Sequence, residues 1–422
     1  MKTSTIALSF VAAIFVSCQG QVKKEEKEQL AKGPGNTVKT AIGDLTLPPP
    51  FQTESVTNNS RIDGWQNGES PKAPEGFVVT KFAGDLENPR NSYVAPNGDI
   101  FVVESGTRGS KNQITLFQDK NKDGKYESRN VFISGLSQPY GVLIIGETFY
   151  VANTEGVYTY PYKAGQTKIE GKGKKILDLP AGGYNNHWTR NLLANADNSK
   201  IYVSVGSSSN VGENGMENEV RRAAILEVNP DGSGEQLFAG GLRNPVGMDW
   251  NPVTKELWTA VNERDGLGDD LVPDYITSVK KGGFYGWPYS YFGQIEDPRM
   301  KGQKPELVKK ALVPDVPVNS HTASLGLTFY AANQFPAKYK NGAFVGQHGS
   351  WNRSKLSGYK VLFVPFKDGK PGQPEDFLTG FVHNQDKSRV FGRPVDVTVL
   401  PDGSLLVNDD SGNTLWQISA KK

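Results

Sequence analysis

From residue 77 onward the apolar positions fall in short runs broken by turn signals, as in FVVTKFA, SYVAPNGDIFVVES, GVLIIGETFYVAN and GMDWNPVTKELWTAV. Runs of this length bounded by Gly, Asn and Pro predict β-strands, and Asn97-Gly98 and Asp402-Gly403 are hairpin signals between them. The pattern repeats. The octet FAGDLENP at 82–89 returns loosely as FISGLSQP at 132–139 and closely as FAGGLRNP at 238–245, at intervals of 50 and 106 residues. Because 106 is twice 53, the unit is about 50 residues long, which suits a four-stranded propeller blade better than a helical repeat of about 34. Segments starting at His187, His321 and Gly392 lack the octet but keep the hairpin, so six units are expected.

The last unit has only three strands before the chain ends, PVDVTVL, SLLVND and TLWQIS. Its missing outer strand is available in FVVTKFA at 77–83, and pairing the two would remove exposed strand edges. The expected fold is therefore all-β, a six-bladed β-propeller over 74–420 whose last blade takes its outer strand from the N-terminal segment. Residues 262–320 are expected as a long insertion between the fourth and fifth blades.

Residues 1–17 carry Lys2, an apolar stretch and small Ser17 before Cys18. That stretch is too short to cross a bilayer and reads as a bacterial lipoprotein signal, with Cys18 as the lipidated thiol. An ordinary secretory signal with an incidental Cys is the alternative; both export the protein, to a lipid-anchored or a free state. Residues 18–45 open with a charged run poor in apolar side chains and are expected to be a flexible tether, followed by an N-terminal extension at 46–73.

Composition narrows the chemistry. Among 422 residues, 47 Gly and 26 Pro make about 17% of the chain, rich in turns but below low-complexity levels. The 47 basic and 45 acidic residues nearly cancel, which argues against nucleic acid as a partner. One Cys forbids an internal disulfide and any Cys-rich metal site.

In a propeller the link into each innermost strand lies on one face beside the central channel. At or near that repeat position stand Arg90, Gln138, His187, Arg243, His321 and Arg393, with His348 and Arg353 in the neighbouring GQHGSWNR turn. Converging guanidinium groups repel one another in a partly dehydrated space and call for an anion, most naturally carboxylates. The plainer reading pairs each Arg with a nearby Asp or Glu. His187, set among cations, is expected to have a lowered pKa and to accept a proton near neutral pH.

Two acidic strings suit calcium. NERDGLGDDLVPDY holds Glu263, Asp265, Asp269, Asp270 and Asp274, and DKNKDGKYE at 119–127 starts like an EF-hand loop but has Asn130 at the twelfth position. A solvated acidic loop and a polar hairpin turn are the respective alternatives.

The blocks HWTRNLLANADNSKIYVSVGS, GLRNPVGMDW, NERDGLGDDLVPDYITSVKKGGFYGWPYSYFGQ, FVGQHGSWNRSKLSGYKVLFVPF and FGRPVDVTVLPDGSLLVNDD, in that order, resemble the quinoprotein glucose/sorbosone dehydrogenases, with the sorbosone branch nearer. The resemblance spans about 74–419. It implies a propeller that binds pyrroloquinoline quinone (PQQ) and calcium, oxidises an aldose, sorbosone-like aldehyde or related sugar, and passes electrons to an external acceptor other than NAD. It assigns His187 as the base and Arg243 and Asn244 to the surroundings of the reactive quinone oxygen. Arg393 falls to a cofactor carboxylate, and the calcium to Glu263, Arg264 and Asp265, chiefly through the backbone carbonyls of the last two. A cofactor-binding Lys of the glucose branch has no clear counterpart, and Arg353 or His348 is expected there; Arg90 is a wall residue by repeat position. Asn186 replaces the acidic residue that precedes the base in that branch. Two readings from other classes stay open, a calcium-dependent lactonase-type hydrolase and a non-catalytic carbohydrate-binding propeller.

Overall fold

The computed structural model describes residues 22–421 apart from 67, 108, 184 and 186. Cys18, the signal segment and Asn186 lie outside the described residues. The chain is a β-propeller. Among the described residues, six antiparallel sheets of four strands each follow one another, one of them with a short fifth strand added. Their first strands are Pro89–Val94, Gly141–Ile145, Arg190–Ala194, Pro245–Trp250, Ser324–Phe329 and Pro394–Val399. Each lies beside the next, and the last lies beside the first.

The strands form where the turn chemistry and apolar runs place them. Ile100–Glu104 and Leu405–Asp409 are buried along their whole length, as strands covered on both faces must be. Core side chains fill the spaces between facing sheets: Phe101, Phe132, Phe149 and Tyr162 from the first two form one aromatic cluster. Inner strands crowd the axis. A Cβ on Gly247 would lie 2.3 Å from the Leu327 nitrogen of the next sheet, so only glycine allows that approach. Polar bridges add to the packing: Asp249 accepts from Phe329 N–H at 2.7 Å, and Asn191 donates to the Val246 carbonyl at 2.9 Å.

The strand Phe77–Ala83 pairs antiparallel with the final strand Thr414–Ala420, with Ile418 opposite Val79. Two expectations need correction. The stretch 262–320 is not wholly an insertion, because Pro273–Ser278 and Val316–Ser320 are the third and fourth strands of the fourth sheet. The excursion is confined to about 279–315. Nor is 18–45 wholly a tether. Lys24–Ala31 is a helix with no buried residue, and Asn36–Thr40 pairs with Gly43–Leu47. That hairpin docks because Val38, Leu45 and buried Leu47 join the cluster around Leu267 and Tyr275.

The extension at 46–73 crosses the rim of the ring. Phe51 N–H donates to Leu267 O at 2.7 Å, Thr53 Oγ1 accepts from Asp269 N–H at 2.7 Å, and Asn58 N–H donates to Trp351 O at 2.6 Å. Farther along, Trp65 stacks on Phe391 and donates to Asp409 at 2.5 Å.

Candidate functional site

The starts of the inner strands open onto one cavity of about 710 Å³. Arg90, His187, Arg243, His321 and Arg393, from the repeat positions, line it together with His348 of the neighbouring turn and Asn244, joined by Asp265, Trp188, Trp351 and Asn352. Gln138 is not part of the wall.

His187 is buried, and Ser207 orients its ring. Nδ1 lies 2.9 Å from Ser207 O and 3.0 Å from Ser207 Oγ, whose own hydrogen goes to Ser209 O at 2.6 Å. A carbonyl can only accept, so Nδ1 carries the proton and the basic lone pair sits on Nε2. Burial, then the nearby Arg243 charge, hold the pKa well below 6.5, so His187 is neutral at pH 7. Gly206 permits this placement: a Cβ there would meet Asn244 Oδ1 at 2.3 Å and His187 Cβ at 2.6 Å. Asn244 Oδ1 is itself buried and has no hydrogen-bond partner among the described residues.

The arginines differ in what already holds them. Arg243 donates to Asn210 O (3.3 Å), Glu263 O (2.7 Å), Asn262 O (3.4 Å), Asn210 Oδ1 (3.0 Å) and Asp265 Oδ2 (3.0 Å). With its donors engaged by the chain, it presents charge to the cavity but no free N–H. Arg90 pairs with Asp410 at 2.5 Å and lies 5.1 Å from the Trp188 ring, its buried Nε meeting no acceptor among the described residues. Arg393 hydrogen-bonds through its side chain to the backbone, at His348 O and Gly349 O (2.8 Å each), and lies over the Tyr359 ring. Among the described residues it forms no ion pair, and Nη1 donates to none of them. The expected set of unpaired guanidinium groups is thus reduced to Arg393, since Asp265 and Asp410 offset the other two lining arginines. With Asp410 counted behind the wall, the three lining arginines exceed their two carboxylate partners by one positive charge.

The three histidines are tuned differently. His348 donates to Asp410 from Nε2 (2.9 Å), yet burial and then Arg393 depress its pKa to about 4. His321 gives Nε2–H to Gly268 O at 2.9 Å and turns Nδ1 toward Asp265, 3.3 Å away. Burial opposes its charge, but Asp265 outweighs burial and the pKa rises. Asp265 also meets Asn352 Nδ2 and is held below the usual carboxylate value, because Arg243 and His321 overcome its burial.

Three expected site residues face elsewhere. Arg353 points away from the cavity and pairs with Asp270, because the 349–358 turn directs Trp351 and Asn352 inward instead. Glu263 and Arg264 are buried against each other at 2.9 Å, and Arg264 continues to Asp297, Pro288 O and Ser290 O, anchoring the excursion. Neither side chain is available to a metal. Of the two carbonyls expected at the metal, that of Asp265 is engaged: it accepts from Arg299 Nη1 at 2.7 Å and Asn210 Nδ2 at 2.9 Å. A dication and a guanidinium 4 Å apart repel by about 8 kcal/mol at an effective dielectric near 20, so this loop does not suit calcium as it stands. Among the described residues, no three His, Cys, Asp or Glu side chains gather into a metal cage. The 119–127 string is an exposed turn in which Asp119 and Asp123 accept from the loop's own N–H groups.

Repeat reasoning missed Asn352, Trp188 and Arg299. Asn352 and Arg299 lie in connections that have no repeat counterpart. Trp188, within the quoted HWTR block, could have been found from its place next to the expected base.

Residues 71–276 and 299–421 match the profile of the TrAA12-like family. An uncharacterized protein of Borreliella burgdorferi is 31% identical over 366 residues, spanning 83% of this chain and 91% of its own. The holo form of the pyranose dehydrogenase PQQ domain from Coprinopsis cinerea aligns with a TM-score of 0.69 at 20% identity, over 85% of this chain and 98% of that one. The calcium structure of a Trichoderma reesei carbohydrate-active enzyme of family AA12 aligns at 0.71 and 18% identity, over 86% and 100%. At such identities both structures speak to the fold.

Proposed function

The chain belongs to the TrAA12-like family, and from that premise we propose that it is a PQQ-dependent sugar dehydrogenase acting on a pyranose or related aldose. Its six sheets are read as six blades, the last completed by Phe77–Ala83. The pyranose dehydrogenase domain that shares this fold is a PQQ domain. The observation that carries the reading is Arg393, a partly buried cation with no carboxylate partner among the described residues, lining a cavity of about 710 Å³.

PQQ is a planar tricarboxylate, and the wall fits it. Arg393 offers donors to a carboxylate, Arg90 can share its charge between Asp410 and a second one, and the unpartnered Asn244 Oδ1 can accept from a ring N–H. Bound there, PQQ supplies an ortho-quinone that accepts hydride. The chain supplies the rest. His187 Nε2 takes the proton from the sugar hydroxyl, while Ser207 fixes the ring through Nδ1. Arg243 acts through charge, favouring negative charge nearby and keeping His187 neutral between turnovers. Trp351, 48% exposed at the mouth, gives an apolar face for a sugar. Electrons leave to an external acceptor, and Cys18 is read as a lipid anchor that holds the exported protein at a membrane.

Calcium, which the sequence resemblance implies, does not fit the engaged loop at 262–265, and no step here uses it. The hydrolase alternative needs a side-chain calcium cage, which these residues do not form.

The purified protein given PQQ should reduce a dye acceptor with at least one pyranose in a broad panel. His187→Ala should lose at least about 100-fold in kcat while binding PQQ as before. Absence of turnover with every sugar, together with no PQQ retention, overturns the reading.

A further inference from the structure

Resting on the quinoprotein reading, we propose that this chain holds PQQ without a divalent cation, the loop that would ligate the metal being closed by the guanidinium groups of Arg243 and Arg299. Calcium takes six to eight oxygen ligands at about 2.3–2.6 Å, and each must direct a lone pair at the ion. In the 262–265 loop the carbonyls of Asn262, Glu263 and Asp265 point their lone pairs at protein donors, and Arg264 O by itself cannot make such a shell. Glu263 O receives Arg243 Nη1 at 2.7 Å. Both lone pairs of Asp265 O are used, by Arg299 Nη1 and Asn210 Nδ2. The Asp265 carboxylate meets Arg243 on one oxygen and Asn352 on the other.

Arg299 is held where it is. Its Nε and Nη2 grip the two oxygens of Asp297 at 2.9 and 2.7 Å, and Asp297 is fully buried and also bound by Arg264. Asp297 side-chain bonding to Arg299 N–H begins a short 3-10 turn at Pro298–Met300, which fixes the backbone that carries the guanidinium. A metal at Asp265 would have to displace one guanidinium and sit against the other. The two arginines instead supply positive charge on this side of the cavity, Arg243 at the wall and Arg299 behind Asp265.

The test is a PQQ titration followed by absorbance, which needs no turnover. Protein stripped with EGTA is compared with the same protein in 1 mM calcium. The expected result is a Kd equal within threefold in the two buffers. Tightening of tenfold or more by calcium overturns the proposal. Failure of PQQ to bind in either buffer overturns the quinoprotein reading, and this inference with it. Affinity is the readout because calcium on other surface loops would move a melting temperature without touching the cavity. Arg299→Gln should weaken PQQ about tenfold in EGTA, whereas Arg299→Lys, which keeps the charge, should stay within threefold of wild type. Unchanged affinity in Arg299→Gln removes Arg299 from the account, and if that variant does not fold, the wild-type titration still decides.

Discussion

Arg243 and Arg393 stand just before the inner strands Pro245–Trp250 and Pro394–Val399 and line the same cavity, the first buried and the second partly so. Their surroundings are opposite. Arg243 is bound by Asn210, Asn262, Glu263 and Asp265, so it works as part of the scaffold that holds a loop in place. Arg393 has two backbone carbonyls and the Tyr359 ring, 5.6 Å away, and keeps donors for a guest. One repeat position can therefore carry a structural cation in one sheet and a ligand-binding cation in another, and only the partners tell them apart.

The difference should appear as two separate losses. Arg393→Ala should weaken PQQ about 100-fold, since charge-assisted hydrogen bonds contribute roughly 1.5–3 kcal/mol each, with a melting temperature close to wild type. Equilibrium titration and a thermal scan check both. Arg243→Ala should instead reduce stability by about 3 kcal/mol, because it leaves partly buried Asp265 without its main counter-charge and the carbonyls of Asn210 and Glu263 without their donor, and denaturant unfolding measures that.

A subtler effect separates the two through pH. The folded pKa of His187 lies below its ordinary value, so the base form persists as pH falls through 6.5 and the acid limb of kcat/KM lies lower still. Arg243→Gln removes one of the two main causes, so the limb should move upward; a limb that stays put would detach Arg243 from the base. The smallest effect is expected at Arg353, whose pair with Asp270 lies outside the cavity: Arg353→Ala should change PQQ affinity by less than twofold.

Much of this was legible in the chain itself. The repeat of about 50 residues located the strand starts and brought Arg90, His187, Arg243 and Arg393 to one mouth, because a ring of similar units carries equivalent positions to equivalent places. The acidic partners were not legible. Asp410 reaches Arg90 from a position 320 residues away, and Asp265 reaches Arg243 from an irregular loop, so no local pattern marks either pair. The excursion misled for a related reason: its two true strands are separated by irregular chain, which hid Pro273–Ser278 and Val316–Ser320. Arg353 followed the same turn as Asn352 but faces the other way, a choice made by Asp270 across the rim.

A crystal structure of the PQQ-loaded protein tests the contrast most directly. The account predicts Arg393 donating to a PQQ carboxylate while Arg243 keeps its bonds to Asn210, Glu263 and Asp265. Arg243 released from those groups to grip the cofactor, with Arg393 untouched, would contradict it.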